Sequence, residues 1–121
     1  MKKNQVSVDG VIYENLADHE IKIKNGEEII TISANKGKKP ELKSRYEETL
    51  APIKTYRQFP VRIDNLPAEK EGTIYIVPLF IVTGARELGM RRKDLVSPGR
   101  KVFGDGGKVL YADGLREGYY T

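Results

Sequence analysis

Cysteine and tryptophan are absent, and His19 is the only histidine in 121 residues. Without cysteine there is no disulfide framework and no thiolate metal site. One imidazole is too few for a transition-metal site, and no triad motif surrounds it. No apolar run is long enough to span a bilayer, and Lys2 and Lys3 lead into a polar segment rather than a signal peptide. These absences predict a protein of a reducing cytoplasm, with no cofactor and no membrane partner. Charge of one sign is not concentrated either. The chain has 21 basic and 17 acidic side chains and a net charge of +4. That balance favours an anionic partner but lacks the basic stripe of a nucleic-acid groove. A small anionic ligand fits it as well as a merely solvated surface does.

What is present is organised around residues 73–88, TIYIVPLFIVTGAREL. From Ile74 to Val82 there is no charge, and Pro78 is the only interruption. Tyr75, Ile76 and Val77 favour an extended chain, and an unbroken apolar run suggests a strand covered on both faces. Proline suits the first turn of a helix, so a strand over 73–77 should run directly into a helix over 79–88. Ile81, Ala85 and Leu88 would line its buried face, and Gly89 would stop it.

Short strands surround this unit. Val6, Val8, Val11 and Tyr13 alternate about the turn signal Asp9-Gly10. Asn25-Gly26 separates HEIKIK from EEIITIS, as in a two-residue hairpin. With the turn at those two residues, Lys24 faces Glu27, Ile23 faces Glu28, Ile21 faces Ile30 and His19 faces Ile32. The four isoleucines and His19 then share one face. Residues 34–50 are polar; 35–40 read as a loop, and 41–50 as one weak helical turn or irregular chain. Over 55–63, Arg57, Phe59, Val61 and Ile63 fall on one side, with Pro60 marking an edge or a bulge. Residues 94–96 read as a short strand, 97–99 as a turn, and Gly104 to Gly107 as a hairpin loop. The expected fold is a single α+β domain, mostly β: short antiparallel hairpins around a central strand followed by one short helix.

The site residues suggested by chemistry are basic and aromatic. Aromatic faces stack on bases, and guanidinium forks pair with phosphates. Tyr75 and Phe80 are the stacking candidates, and Arg57, Arg86, Arg91 and Arg92 the phosphate candidates. Core packing is the plainer account of the two aromatics. The loop around Gly104 lacks the ending of a phosphate loop, and the aspartates all lie near turns.

Three segments carry a resemblance: Asn15-Leu-Ala-Asp-His-Glu-Ile21, Gly72-Thr-Ile-Tyr-Ile-Val77 and Arg92-Lys-Asp-Leu-Val-Ser-Pro-Gly99. Their order resembles a family of small phage and prophage proteins with an Asn-Leu-x-x-His-x-Ile hairpin, a Gly-Thr-Ile-Tyr-Ile-Val strand and a glycine-bearing hairpin. Between Asn35 and Leu50 the chain departs from that pattern. The characterised proteins most similar are the Thoeris anti-defence (Tad) sponges, which sequester cyclic ADP-ribose-type immune signals and in some cases cyclic oligonucleotides. The resemblance implies a non-catalytic phage protein acting in an infected bacterial cell. It implies a cyclic nucleotide as ligand and a homo-oligomer with pockets at subunit boundaries. Two other readings stand beside it: a phage structural or protein-interaction protein, and a small nucleic-acid-binding module.

Overall fold

A computed structural model describes residues 1–117. In chain order the elements are β1 (Gln5–Val8), β2 (Val11–Asn15), β3 (Ile21–Asn25), β4 (Glu28–Ile32), β5 (Glu41–Thr49), β6 (Thr55–Asp64), β7 (Thr73–Ile76), α1 (Leu79–Glu87), β8 (Leu95–Phe103) and β9 (Val109–Glu117). Seven strands form one sheet in the order β1-β2-β7-β8-β9-β3-β4, and β5 and β6 form a separate ribbon. The fold is α+β and mostly β, as the strand and turn signals predict. Among the described residues no helix is long and apolar enough to cross a membrane.

The centre of the sheet is parallel: β7 pairs with β2 on one side and β8 on the other. Alternation along β7 and Val77 sends side chains to two cores. Tyr75 and Val77 meet Ile81, Val82 and Ala85 of α1, together with Leu95. Ile76 points to the other side, with Ile21, Ile23, Ile32 and Val96. Val6 and Tyr13 from one end of the sheet also pack on that second cluster, as does Ile30 from the other end. The sheet therefore curls until its two edges approach each other.

Pro78, with φ −59° and ψ 151°, occupies the position before the first turn of α1, and its carbonyl accepts from the amides of Ile81 (3.0 Å) and Val82 (3.4 Å). Gly89, at φ 75°, ends it. Its amide donates to the Arg86 carbonyl and that of Met90 to Ala85, the paired bonds of a Schellman stop. Gly84 permits close approach of the ribbon, since a Cβ there would lie 2.9 Å from a Leu42 methyl.

Several local expectations are corrected. The 19–33 hairpin turns at Gly26 and Glu27, so Ile21 pairs with Ile32 and Ile23 with Ile30. Only Gly26 (φ 65°) has positive φ in that turn, which suits a first-position glycine rather than an Asn-Gly pair. The slip keeps all four isoleucines on one face and pairs them with each other. His19 precedes β3 and is exposed rather than packed on that face. Residues 41–49 are a strand, not a helical turn, because β6 supplies a partner along their whole length. The register shifts beside Pro60, so Lys43 pairs with Arg62 and Ser44 with Pro60. Val61 is the extra residue, and Ile63 therefore falls on the opposite face from Arg57 and Phe59. Ser97, Pro98 and Gly99 are not a turn. They continue β8, with Ser97 paired to Arg116 and Pro98 to Leu115.

Candidate functional site

Parallel strands place their carboxyl ends together, and ligands of open α/β sheets bind at that edge. Here β2 ends at Asn15, β7 ends at Ile76, and α1 begins directly above. A cavity of about 620 Å³ opens at this point. Its floor includes Ile76, Val77 and Ser97; Pro78 and Leu79 bring the start of α1 to its wall. The long β8–β9 hairpin continues past the helix and adds Gly99, Lys101, Phe103 and Arg116, while Ala17 and His19 close the rim. The volume lies within the ordinary range for small-molecule sites.

Alternation explains the chemistry of the wall. Leu95 packs against α1, so Ser97, Gly99 and Lys101 share its face of β8. Register sets Arg116 directly opposite Ser97, and paired residues lie side by side on one face. Ser97 is only 1% exposed, and its hydroxyl has no hydrogen-bond partner among the described residues. A buried, unpaired hydroxyl is costly, so its presence calls for an explanation.

Four basic groups border the cavity, and two are engaged. Arg100 Nη2 lies 3.6 Å from Asp113, and His19 Nδ1 lies 3.4 Å from Asp18. The Asp18 carboxyl is held below its ordinary value, first by the His19 hydrogen bond and then by Lys39. Lys101 and Arg116 form no ion pair among the described residues. Phe103 is 59% exposed and offers a ring at the outer end. The arrangement can hold an anion beside an aromatic face.

None of the residues proposed from sequence lines this cavity. Tyr75 is 5% exposed and belongs to the α1 core; burial pushes its phenol up, and it has no face to stack on a ligand from solvent. Arg92 is a structural clamp. Its Nε and Nη2 each donate to Asp94 at 2.8 Å, and Nη2 also donates to the Pro67 carbonyl at 2.8 Å. Arg57 pairs with Glu47 in the ribbon register, on the face turned away from α1. Arg91 is exposed in the connector, and Arg86 is half-buried near the end of α1. Phe80 alone lines a second concavity, a groove of about 430 Å³ between α1 and the ribbon with Leu42, Pro60 and Thr83.

Sequence reasoning did not single out Ser97, Lys101 or Arg116. Ser-Pro-Gly has the composition of a turn, and nothing local pairs Ser97 with a residue nineteen positions on. Among the described residues, no group of three His, Cys, Asp or Glu side chains could hold a metal ion.

A scan of family models, a search of curated proteins and a search of solved structures each find no match to this chain.

Proposed function

We propose that this chain binds a cyclic nucleotide immune signal, a cyclic ADP-ribose isomer or a cyclic oligonucleotide, and sequesters it without turnover on behalf of a phage. The observation that carries this is the cavity at the carboxyl ends of the parallel strands. It combines two cations that form no ion pair among the described residues, Lys101 and Arg116, with an exposed ring, Phe103. A nucleotide offers phosphate to the first and a base to the second. The resemblance to the Tad sponges supplies the identity of the signal and the absence of turnover.

Assembly into a homo-oligomer, with the pocket near a subunit boundary, belongs to the same proposal. Its support is the apolar surface left open along the ribbon and the start of α1: Tyr46 is 65% exposed, Tyr56 55% and Phe80 55%. The same surface favours the second reading, a phage protein whose partner is another protein.

The test is a thermal-shift panel of cyclic ADP-ribose isomers, cyclic dinucleotides and cyclic trinucleotides, with chromatography of the ligand released by heat. A ligand at ~100 times its Kd adds ~2.7 kcal/mol to stability, a readily measured shift. A shift with intact ligand recovered supports sequestration. Altered ligand identifies an enzyme, and no shift across the panel favours the protein-binding reading. Light scattering reports the subunit number alongside.

A further inference from the structure

Two observations converge at the start of α1. The first is a helix terminus without a cap. Pro78 has no N–H, no side chain caps the first turn, and no acidic residue lies in it. The first-turn amides of Ile81 and Val82 already donate to the Pro78 carbonyl. Those of Leu79 and Phe80 have no acceptor inside the helix, because the helix begins with them. Such a terminus carries about half a positive charge and attracts anions. The helix is nine residues long, enough to sustain that dipole.

The second is the Ser97 hydroxyl, buried and without a partner among the described residues, on the face of β8 that meets α1 and in the same cavity as Leu79. A hydroxyl can donate to an oxyanion at short range. Arg116, its cross-strand neighbour, adds a full charge that no carboxylate among the described residues engages. Lys101 adds another from four residues along β8, on the same face as Ser97. Asp18 and Asp113, the nearby carboxylates, are occupied by His19 and Arg100.

We infer that a phosphate group seats at the amino terminus of α1, accepting hydrogen bonds from the Leu79 and Phe80 amides and the Ser97 hydroxyl, with Arg116 and Lys101 as counter-charges. This deepens the reading of the cavity as a nucleotide site and rests on that cavity. It assigns the phosphate to the inner end and leaves the outer end, at Phe103, for the rest of the ligand.

The role of Ser97 has an unusual signature. For a hydroxyl that only supports the fold, removal lowers stability. Here the unliganded Ser97→Ala protein melts at or above the wild-type temperature, because an unpaired buried hydroxyl is removed. Binding moves the other way. A hydrogen bond to a charged group accounts for about a ten- to hundredfold change in affinity.

The experiment is calorimetric titration of wild-type protein, Ser97→Ala and Arg116→Gln with inorganic phosphate, inorganic pyrophosphate, AMP and adenosine. The expected result is binding of the three phosphate-bearing probes and not adenosine, at least tenfold weaker in both variants, with neither melting below wild type. Equal affinity in wild type and Ser97→Ala overturns the inference, as does the absence of phosphate, pyrophosphate and AMP binding. A cyclic nucleotide from the panel that binds Ser97→Ala unchanged also overturns it while the sequestration reading stands. Phosphate binding lost in Ser97→Ala, with no cyclic nucleotide bound, upholds the phosphate seat and overturns that reading.

Discussion

Arg92 and Asp94 form a two-pronged ion pair, Nε to Oδ1 and Nη2 to Oδ2, both at 2.8 Å, with side chains only 11% and 10% exposed. The second Nη2 bond, to the Pro67 carbonyl, ties the segment before β7 to the start of β8. The guanidinium is thus committed to the fold. Arg92→Ala leaves a nearly buried carboxylate unpaired and should cost about 3 kcal/mol in urea unfolding. Arg92→Lys should also destabilise, since an ammonium cannot reproduce the fork. The double variant with Asp94→Ala should lose less than the sum of the two single changes. Loss of ligand affinity at unchanged stability would return Arg92 to the binding site.

Asn15, at the end of β2, makes a comparable prediction. It is fully buried, and its Nδ2 donates to the carbonyls of His19 (3.0 Å) and Ser33 (3.1 Å), while Oδ1 accepts from the Ala17 amide (2.9 Å). These bonds tie the end of β2 to the end of β4 and so hold the curled sheet together. The amide orientation follows from the partners, since only an NH₂ can face two carbonyls. Asn15→Asp puts an oxygen there instead and should cost more than Asn15→Ala, by at least about 1 kcal/mol. Equal losses in thermal unfolding would mean that the side chain serves only to fill space.

Where the structure follows local rules it was legible. Asp9 and Gly10, both at positive φ, make the first hairpin turn, and Pro78 and Gly89 bracket α1 as composition predicts. The unread parts depend on distant partners. The strand over 41–49 is polar, and only β6 makes it a strand. A signal was nevertheless present. Glu41 and Lys43, Arg45 and Glu47, and Arg62 and Asp64 are opposite charges two residues apart, and each forms an ion pair. That spacing brings side chains together on an extended chain and separates them on a helix. Arg92 and Asp94 repeat it. The same spacing, read first, would have assigned Arg92 to Asp94 rather than to a ligand. Ser97 and Arg116 carry no such signal; only the register of β8 and β9 brings them together.

Gly99 lies against the backbone of β9. A Cβ there would be 2.8 Å from the Asp113 carbonyl oxygen and 2.9 Å from that of Gly114. Both neighbours are backbone and cannot rotate away. Gly99→Ala should therefore destabilise by about 2 kcal/mol through overpacking alone. Because Gly99 is two residues from Ser97, the forced shift should also weaken phosphate binding. A variant as stable as wild type would show that the two strands can separate without cost.

Tyr75 ties stability to alkaline pH. Its ring is in the α1 core, and its phenol titrates above the ordinary value near 10, first because burial disfavours the phenolate and then because Glu14 and Asp94 repel it. Above the unfolded-state value, the unfolded chain has released this proton while the folded chain still holds it. Stability must then fall as pH rises, because the unfolded state binds fewer protons. The contribution is complete below about pH 10 and declines above it. Tyr75→Phe keeps the ring and removes the proton. Urea midpoints for the two proteins, measured from pH 8 to 11, should run in parallel to about pH 9.5. Above that the wild type should fall more steeply. Parallel curves over the whole range would show that the Tyr75 hydroxyl reaches water in the folded protein.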